Sequence, residues 1–183
     1  MAQLQIARPG LDETAPHYHS YIAAVPDDQI GRRLVAQIKE FDDLLKPLDN
    51  SAALARYAEG KWSIKEVVGH LIDAERVYTY RLLRIARGDT TPLPGFDENA
   101  YVPAGRFDER PLAALQAEFR AVRSSTIALV EGVRPECWAL RGQASGYTIS
   151  ARALAYITIG HVAHHLTVLR TRYGLEMHSS VSS

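Results

Sequence analysis

From Asp27 to about Leu48, the apolar residues Ile30, Leu34, Ile38, Phe41, Leu45 and Leu48 recur at intervals of three and four. That recurrence lines one face of an α-helix and predicts a first long helix. A second begins behind Ser63, whose spacing to Glu66 is that of a capping box, where each side chain accepts from an orphan backbone N–H near the other. Ile64, Val67, Leu71, Ala74, Tyr78, Leu82 and Ile85 then share a face, His70 lies beside it, and Gly88 is placed to end the helix. Pro111, near a first turn behind Asp108, opens a third helix with Leu112, Leu115, Phe119, Val122, Thr126, Leu129 and Val133 on one side. Thr148 or Ser150 caps a fourth, which runs to about Tyr173 before Gly174 and whose inner stripe includes Leu154, Ile157, His161, His165 and Val168.

The stretches between lack such periodicity. Residues 88–107, GDTTPLPGFDENAYVPAGRF, are punctuated by proline and glycine and predict a long connection, which Phe96 and Tyr101 argue is ordered. Residues 134–147, with Trp138, predict a second loop, residues 1–26 an irregular arm broken by prolines, and residues 175–183 a tail. No alternating strand pattern and no two-residue hairpin turn flanked by strands is visible. The expectation is an all-α domain over residues 27–174, a four-helix bundle with long loops.

Composition narrows the function classes. Lys plus Arg and Asp plus Glu number 21 each, and no basic stripe interleaved with aromatics is present, which speaks against nucleic acid as a partner. The first thirty residues lack the apolar core of a secretory signal, and no run reaches the length of a membrane span. A single cysteine, Cys137, cannot pair within the chain, which suits a reducing compartment and an expected cytoplasmic location.

Candidate chemistry concentrates in GHVAHHL, residues 160–166. Four residues separate His161 from His165, so on a helix both rings leave one face, as two ligands of a single ion do. His164 differs from His161 by about 60° in helical phase, against about 40° for His165, which favours the four-residue pair modestly. His70 is the other histidine next to a core stripe, while His17, His19 and His178 fall in terminal segments. Three neutral imidazoles bind zinc, nickel, copper or iron and leave coordination open, which is the catalytic arrangement. Val162 stands where an HExxH protease needs its glutamate, and no pair of Glu-x-x-His motifs supports a di-iron site. Asp73 and Glu75 follow His70 closely and are read as solvated charge or as groups orienting an imidazole. Arg81, three turns beyond His70, is read as an anion contact or a surface partner for a carboxylate. Asp97 and Glu98, on the long connection, are substrate contacts or turn stabilisers.

The segments GKWSIKEVVGHLIDAERVYTYRLLRIARG, TPLPGFDENAY and RALAYITIGHVAHHLTVLRTRYG together resemble the DinB/YfiT-like superfamily, over about Tyr21 to Gly174. In that family one histidine comes from the second helix and two, four apart, from the last, matching His70, His161 and His165. The resemblance implies a divalent ion, zinc or nickel, and frequent homodimers. It also implies small-molecule substrates, turned over by thiol-dependent transferases or isomerases with a low-molecular-weight thiol cosubstrate, or by hydrolases. The expected function is an enzyme whose mononuclear site activates a thiol or water against a small electrophile. The alternative is a non-catalytic, metal-stabilised dimeric binding module.

Overall fold

The computed structural model describes residues 5–26 and 28–176. Asp27, where the first helix was expected to start, and residues 177–183 of the expected tail, with His178, lie outside the described residues. Six α-helices are formed: α1 (His19–Ala23), α2 (Ile30–Leu45), α3 (Ile64–Ala86), α4 (Glu98–Gly105), α5 (Leu112–Glu131) and α6 (Ala151–Arg172). The long four build the bundle, and among the described helices none is long and apolar enough to cross a membrane.

Both α3 and α2 pack against α5 and α6. The consecutive helices α2 and α3 therefore face each other across one diagonal, and α5 and α6 across the other. The diagonal steps are made by residues 46–63, from α2 to α3, and 132–150, from α5 to α6, while the longest connection, 87–111, joins the neighbours α3 and α5 and carries α4. Local signals set the ends. Ser63 Oγ accepts from Glu66 N at 3.0 Å and Glu66 Oε2 from Ser63 N at 2.8 Å, closing the capping box of α3. Ser150 Oγ accepts from Ala153 N and opens α6, so the cap is Ser150 and not Thr148.

Thr148 belongs instead to a hairpin with a two-residue turn, which corrects the expectation that no such turn flanked by strands is present. Strands β1 (Arg141–Ala144) and β2 (Tyr147–Ser150) pair antiparallel, with Ala144 opposite Tyr147. Ser145 and Gly146 between them hold φ of 53° and 82°, the doubly positive backbone of a tight hairpin turn that twists with its strands. Leu93 hydrogen-bonds along the same edge, donating to Gln143 O at 2.9 Å and accepting from Ser145 N at 3.0 Å. The connection 88–107 is thereby tied to the hairpin. It also contains α4, which was not expected: Asp97 caps it by accepting from Asn99 N at 3.0 Å, overriding Pro103 within.

The core is divided. One apolar cluster gathers Ile30, Leu34, Tyr78, Leu82, Val130 and the first turns of α6, and another gathers Phe41, Leu71, Leu115, Phe119, Val162 and Leu166. Between them lies a polar layer with at least one member from every long helix. Arg123 reaches Glu75 through two bonds, at 2.8 and 2.7 Å, and Gln37 Oε1 at 2.7 Å, while Gln37 Nε2 donates to Ile159 O at 2.8 Å. Thr126 Oγ1 donates to Glu75 at 2.6 Å. Arg123 and Gln37 are 0 % exposed and Glu75 1 %, so every polar atom here depends on its protein partners.

The N-terminal arm is an integral part of the body. Ile6, Ile22 and Val25 join the first cluster, Tyr156 donates its hydroxyl to Ile6 O at 2.7 Å, and α1 lies along α6. Buried Glu13 accepts two bonds from Arg152, whose hydrogen bonding holds its carboxyl down at about 2 against an ordinary 4.5. A lowered native pKa stabilises the fold fully above the unfolded value and loses that contribution as pH falls through the native one. Glu13→Gln is therefore expected to be less stable than the parent by about 1–3 kcal/mol at neutral pH. The two urea midpoints should converge as pH drops from 4.5 toward 2. A gap that stays constant through that window would remove the pair from the account.

Candidate metal centre

α3 and α6 meet where each carries histidine. The capping box fixes the start of α3, and two turns later His70 faces α6; one turn of α6 separates His161 from His165 on the facing side. The three rings converge: His70 Nε2 lies 2.9 Å from His161 Nε2, and ring centroids are 4.9 Å apart for His70 and His165 and 4.6 Å for His161 and His165. One nitrogen from each falls within 4.8 Å of the others. His70 and His161 are buried and His165 half-buried.

Burial sets the charge state. Desolvation pushes His70 down to about 4, with the Glu98 carboxylate opposing the shift, and pushes His165 down to about 3, with His70 and His164 adding to it. His161 is lowered well below its ordinary value by burial, then by its histidine neighbours. All three are neutral donors at physiological pH. Their nitrogens are also short of partners: only one proton fits between His70 Nε2 and His161 Nε2, and His165 Nδ1 is buried without a hydrogen bond. A converging set of neutral nitrogen ligands, with one buried nitrogen unbonded, fits a borderline divalent cation, and its all-nitrogen chemistry suits zinc or nickel better than calcium or magnesium.

The histidines form part of the wall of a cavity of about 500 Å³. Tyr21 and Tyr78 stand edge-on to His161, with centroids 5.4 and 5.5 Å away, and Trp62 lies 4.8 Å from His70. A second cavity of about 310 Å³ shares Trp62, His164 and His165 and adds Lys61 and Asn99, so the centre is approached from two sides.

The other sequence candidates separate. His164 borders both cavities from an exposed position, its ring 5.0 Å from that of His165 and outside the converging group. Glu75 is not solvated helix charge: it is locked in the polar layer with Arg123 and Thr126. Asp73 is half-buried beside Arg76, 3.7 Å away, its carboxyl raised chiefly by burial. Arg81 is no surface partner for a carboxylate: it is 2 % exposed and donates to Pro94 O at 2.8 Å and Ser145 Oγ at 3.0 Å, fastening the connection to the hairpin. Asp97 serves as the cap of α4, whereas its neighbour Glu98 lines the larger cavity. Sequence reasoning gave no role at the site to Tyr18, Tyr21, Trp62 or Tyr78. The signal available was weak, since a tyrosine pair in a proline-broken arm carries no phase relative to α6.

The sequence profile of the DinB superfamily matches residues 33–169. No curated protein matches the chain. Among solved structures, YfiT from Bacillus subtilis, described as "a probable metal-dependent hydrolase with an unusual four-helix bundle topology", superposes with a TM-score of 0.71 at 16 % identity, over 93 % of this chain and 95 % of that one. A mycothiol-dependent maleylpyruvate isomerase superposes with a TM-score of 0.64 at 15 % identity, over 76 % of this chain and 58 % of that one. At these identities the structural likenesses speak for the fold.

Proposed function

The chain belongs to the DinB superfamily, and on that footing we propose that it is a metal-dependent enzyme acting on a small electrophile, with His70, His161 and His165 holding one zinc or nickel ion. The observation that carries this reading is the convergence of three neutral imidazoles, one of them with a buried nitrogen that has no hydrogen bond, at the wall of an open cavity. Three protein ligands leave room for a further one, as catalytic sites do. A divalent ion bound there supplies Lewis acidity and lowers the pKa of a coordinated water or low-molecular-weight thiol. The protein contributes no thiol of its own, because Cys137 is buried in the apolar cluster away from the histidines. Any sulfur nucleophile must therefore enter as a cosubstrate. The aromatic walls limit water around the reacting atoms, and the imidazoles, kept neutral by burial, do not compete for protons. The chain accordingly acts as a thiol S-transferase if a thiol is consumed and as a hydrolase if water is.

Purified protein is expected to carry about one equivalent of zinc or nickel. His161→Ala should lose it under metal-replete conditions, and chelation should lower the melting temperature of the parent but not of the variant. Equal and negligible metal in both ends the proposal. A panel of electrophiles, each with and without bacillithiol, mycothiol or glutathione, separates transferase from hydrolase by thiol consumption.

A further inference from the structure

The larger cavity is walled by Tyr18, Tyr21, Trp62, Tyr78 and Phe96, and its single carboxylate is Glu98. The rings pack as a connected set: Tyr18 stands edge-on to Tyr78 at 6.1 Å, Tyr78 edge-on to Phe96 at 6.4 Å, and Tyr18 tilts toward Tyr21 at 6.2 Å. Among the described residues that line this space there is no lysine or arginine. The guanidinium of Arg81 lies behind this wall and not in it: it donates to Ser145, which lines the cavity, and sits 5.7 Å from the Phe96 ring centroid, while Arg81 itself borders a neighbouring cavity. Glu98 begins α4, where the Asp97 cap fixes it, and is half-buried. Within the described residues no hydrogen bond or ion pair engages its carboxylate, which lines the same cavity as His70 and Tyr21.

Aromatic faces attract cations through their quadrupoles, and an unengaged carboxylate among them needs a positive or strongly donating partner. We infer that this cavity selects substrates with an aromatic or compact apolar body and an ammonium group, that Glu98 accepts the ammonium, and that substrates bearing a carboxylate at the same position are rejected. The inference rests on the metal-centre reading for the placement of the reacting end, which coordinates at the histidines while the cationic end lies at Glu98. It specifies the electrophile's charge, on which the spacing of the histidines is silent. The smaller cavity, with Lys61 at its rim, has the opposite character.

The test uses the metal-loaded protein and three ligands that share a metal-binding head: benzohydroxamate, 4-(aminomethyl)benzohydroxamate and 4-carboxybenzohydroxamate, measured by calorimetry. The ammonium ligand should bind at least about tenfold more tightly than the carboxylate ligand, and Glu98→Gln should bring the two within about threefold. In metal-stripped protein, benzyltrimethylammonium should bind more tightly than phenylacetate, again through Glu98. Equal affinity, or preference for the carboxylate partner in the stripped protein, overturns the inference whatever the metal does. Loss of hydroxamate binding with the stripped-protein preference intact overturns the metal reading alone.

Discussion

Arg123→Met is expected to destabilise the protein by about 3–5 kcal/mol, the largest single effect of any substitution away from the histidines. The side chain is 0 % exposed and supplies two of the bonds to the Glu75 carboxylate and one to Gln37. Methionine fills much of the volume but leaves Glu75, 1 % exposed, as a buried charge without its cationic partner. Among the described residues, the hydrogen bond from Thr126 is then the one side-chain bond still made to that carboxylate. The companion Arg123→Met, Glu75→Gln removes the charge with its partner and should recover most of the loss, because a buried ion pair contributes little net stability over neutral groups of similar size. Urea unfolding of parent, single and double variants measures this, with the slope of each transition checked for constancy. If the single variant costs under about 1 kcal/mol, Glu75 does not depend on Arg123 for its stability in the core.

Gly160→Ala is expected to have the second largest effect and to change the site without touching a ligand. A methyl at this position would stand 2.0 Å from the carbonyl oxygen of Tyr21 and 2.5 Å from its carbon. These are backbone atoms of α1 and cannot rotate away. Either α1 lifts from α6 or the helix shifts, at about 1–3 kcal/mol. Since Tyr18 and Tyr21 form one side of the larger cavity, lifting α1 opens it while His161, one residue on, stays on the buried face of α6. The expected phenotype is a protein that retains its metal, becomes susceptible to proteolysis within residues 5–26, and binds 4-(aminomethyl)benzohydroxamate more weakly. Unchanged proteolysis together with unchanged ligand affinity would show that α1 contributes nothing to the site.

The four long helices were legible because burial on one side of a helix writes a three-and-four recurrence into the sequence, and because Ser63, Glu66, Gly88 and Ser150 carry their meaning locally. The histidine cluster was legible for the same reason: His161 and His165 share a helical face whatever surrounds them, and His70 adjoins an apolar stripe. What escaped depends on partners far away in the chain. Arg123 sits one position from Val122, and the apolar stripe assigned the inward direction to Val122, although Val122 is half-buried and Arg123 wholly buried. Gln37, three residues after Leu34 and four before Phe41, occupied a core position and was passed over because a lone polar residue on such a face has no visible complement. The Ser145–Gly146 turn had a local signal that was overlooked, since its strands are only four residues each. The place of α1 against Gly160 left no trace in periodicity, because one glycine in a buried helix records a close approach without naming what approaches.

The diagonal placement of α2 and α3 bears on how the chain reaches this state. Two helices that are consecutive but not adjacent cannot consolidate as a hairpin, so α3 meets its two long partners only when α5 and α6 are made. His70 and His161 are 91 residues apart, and contacts of such separation close slowly because the intervening chain must be ordered before they reward it. On the ribosome the first imidazole is exposed well before its companions emerge, and the protein is expected to fold more slowly than an up-and-down bundle of equal length, with cation capture among its last events.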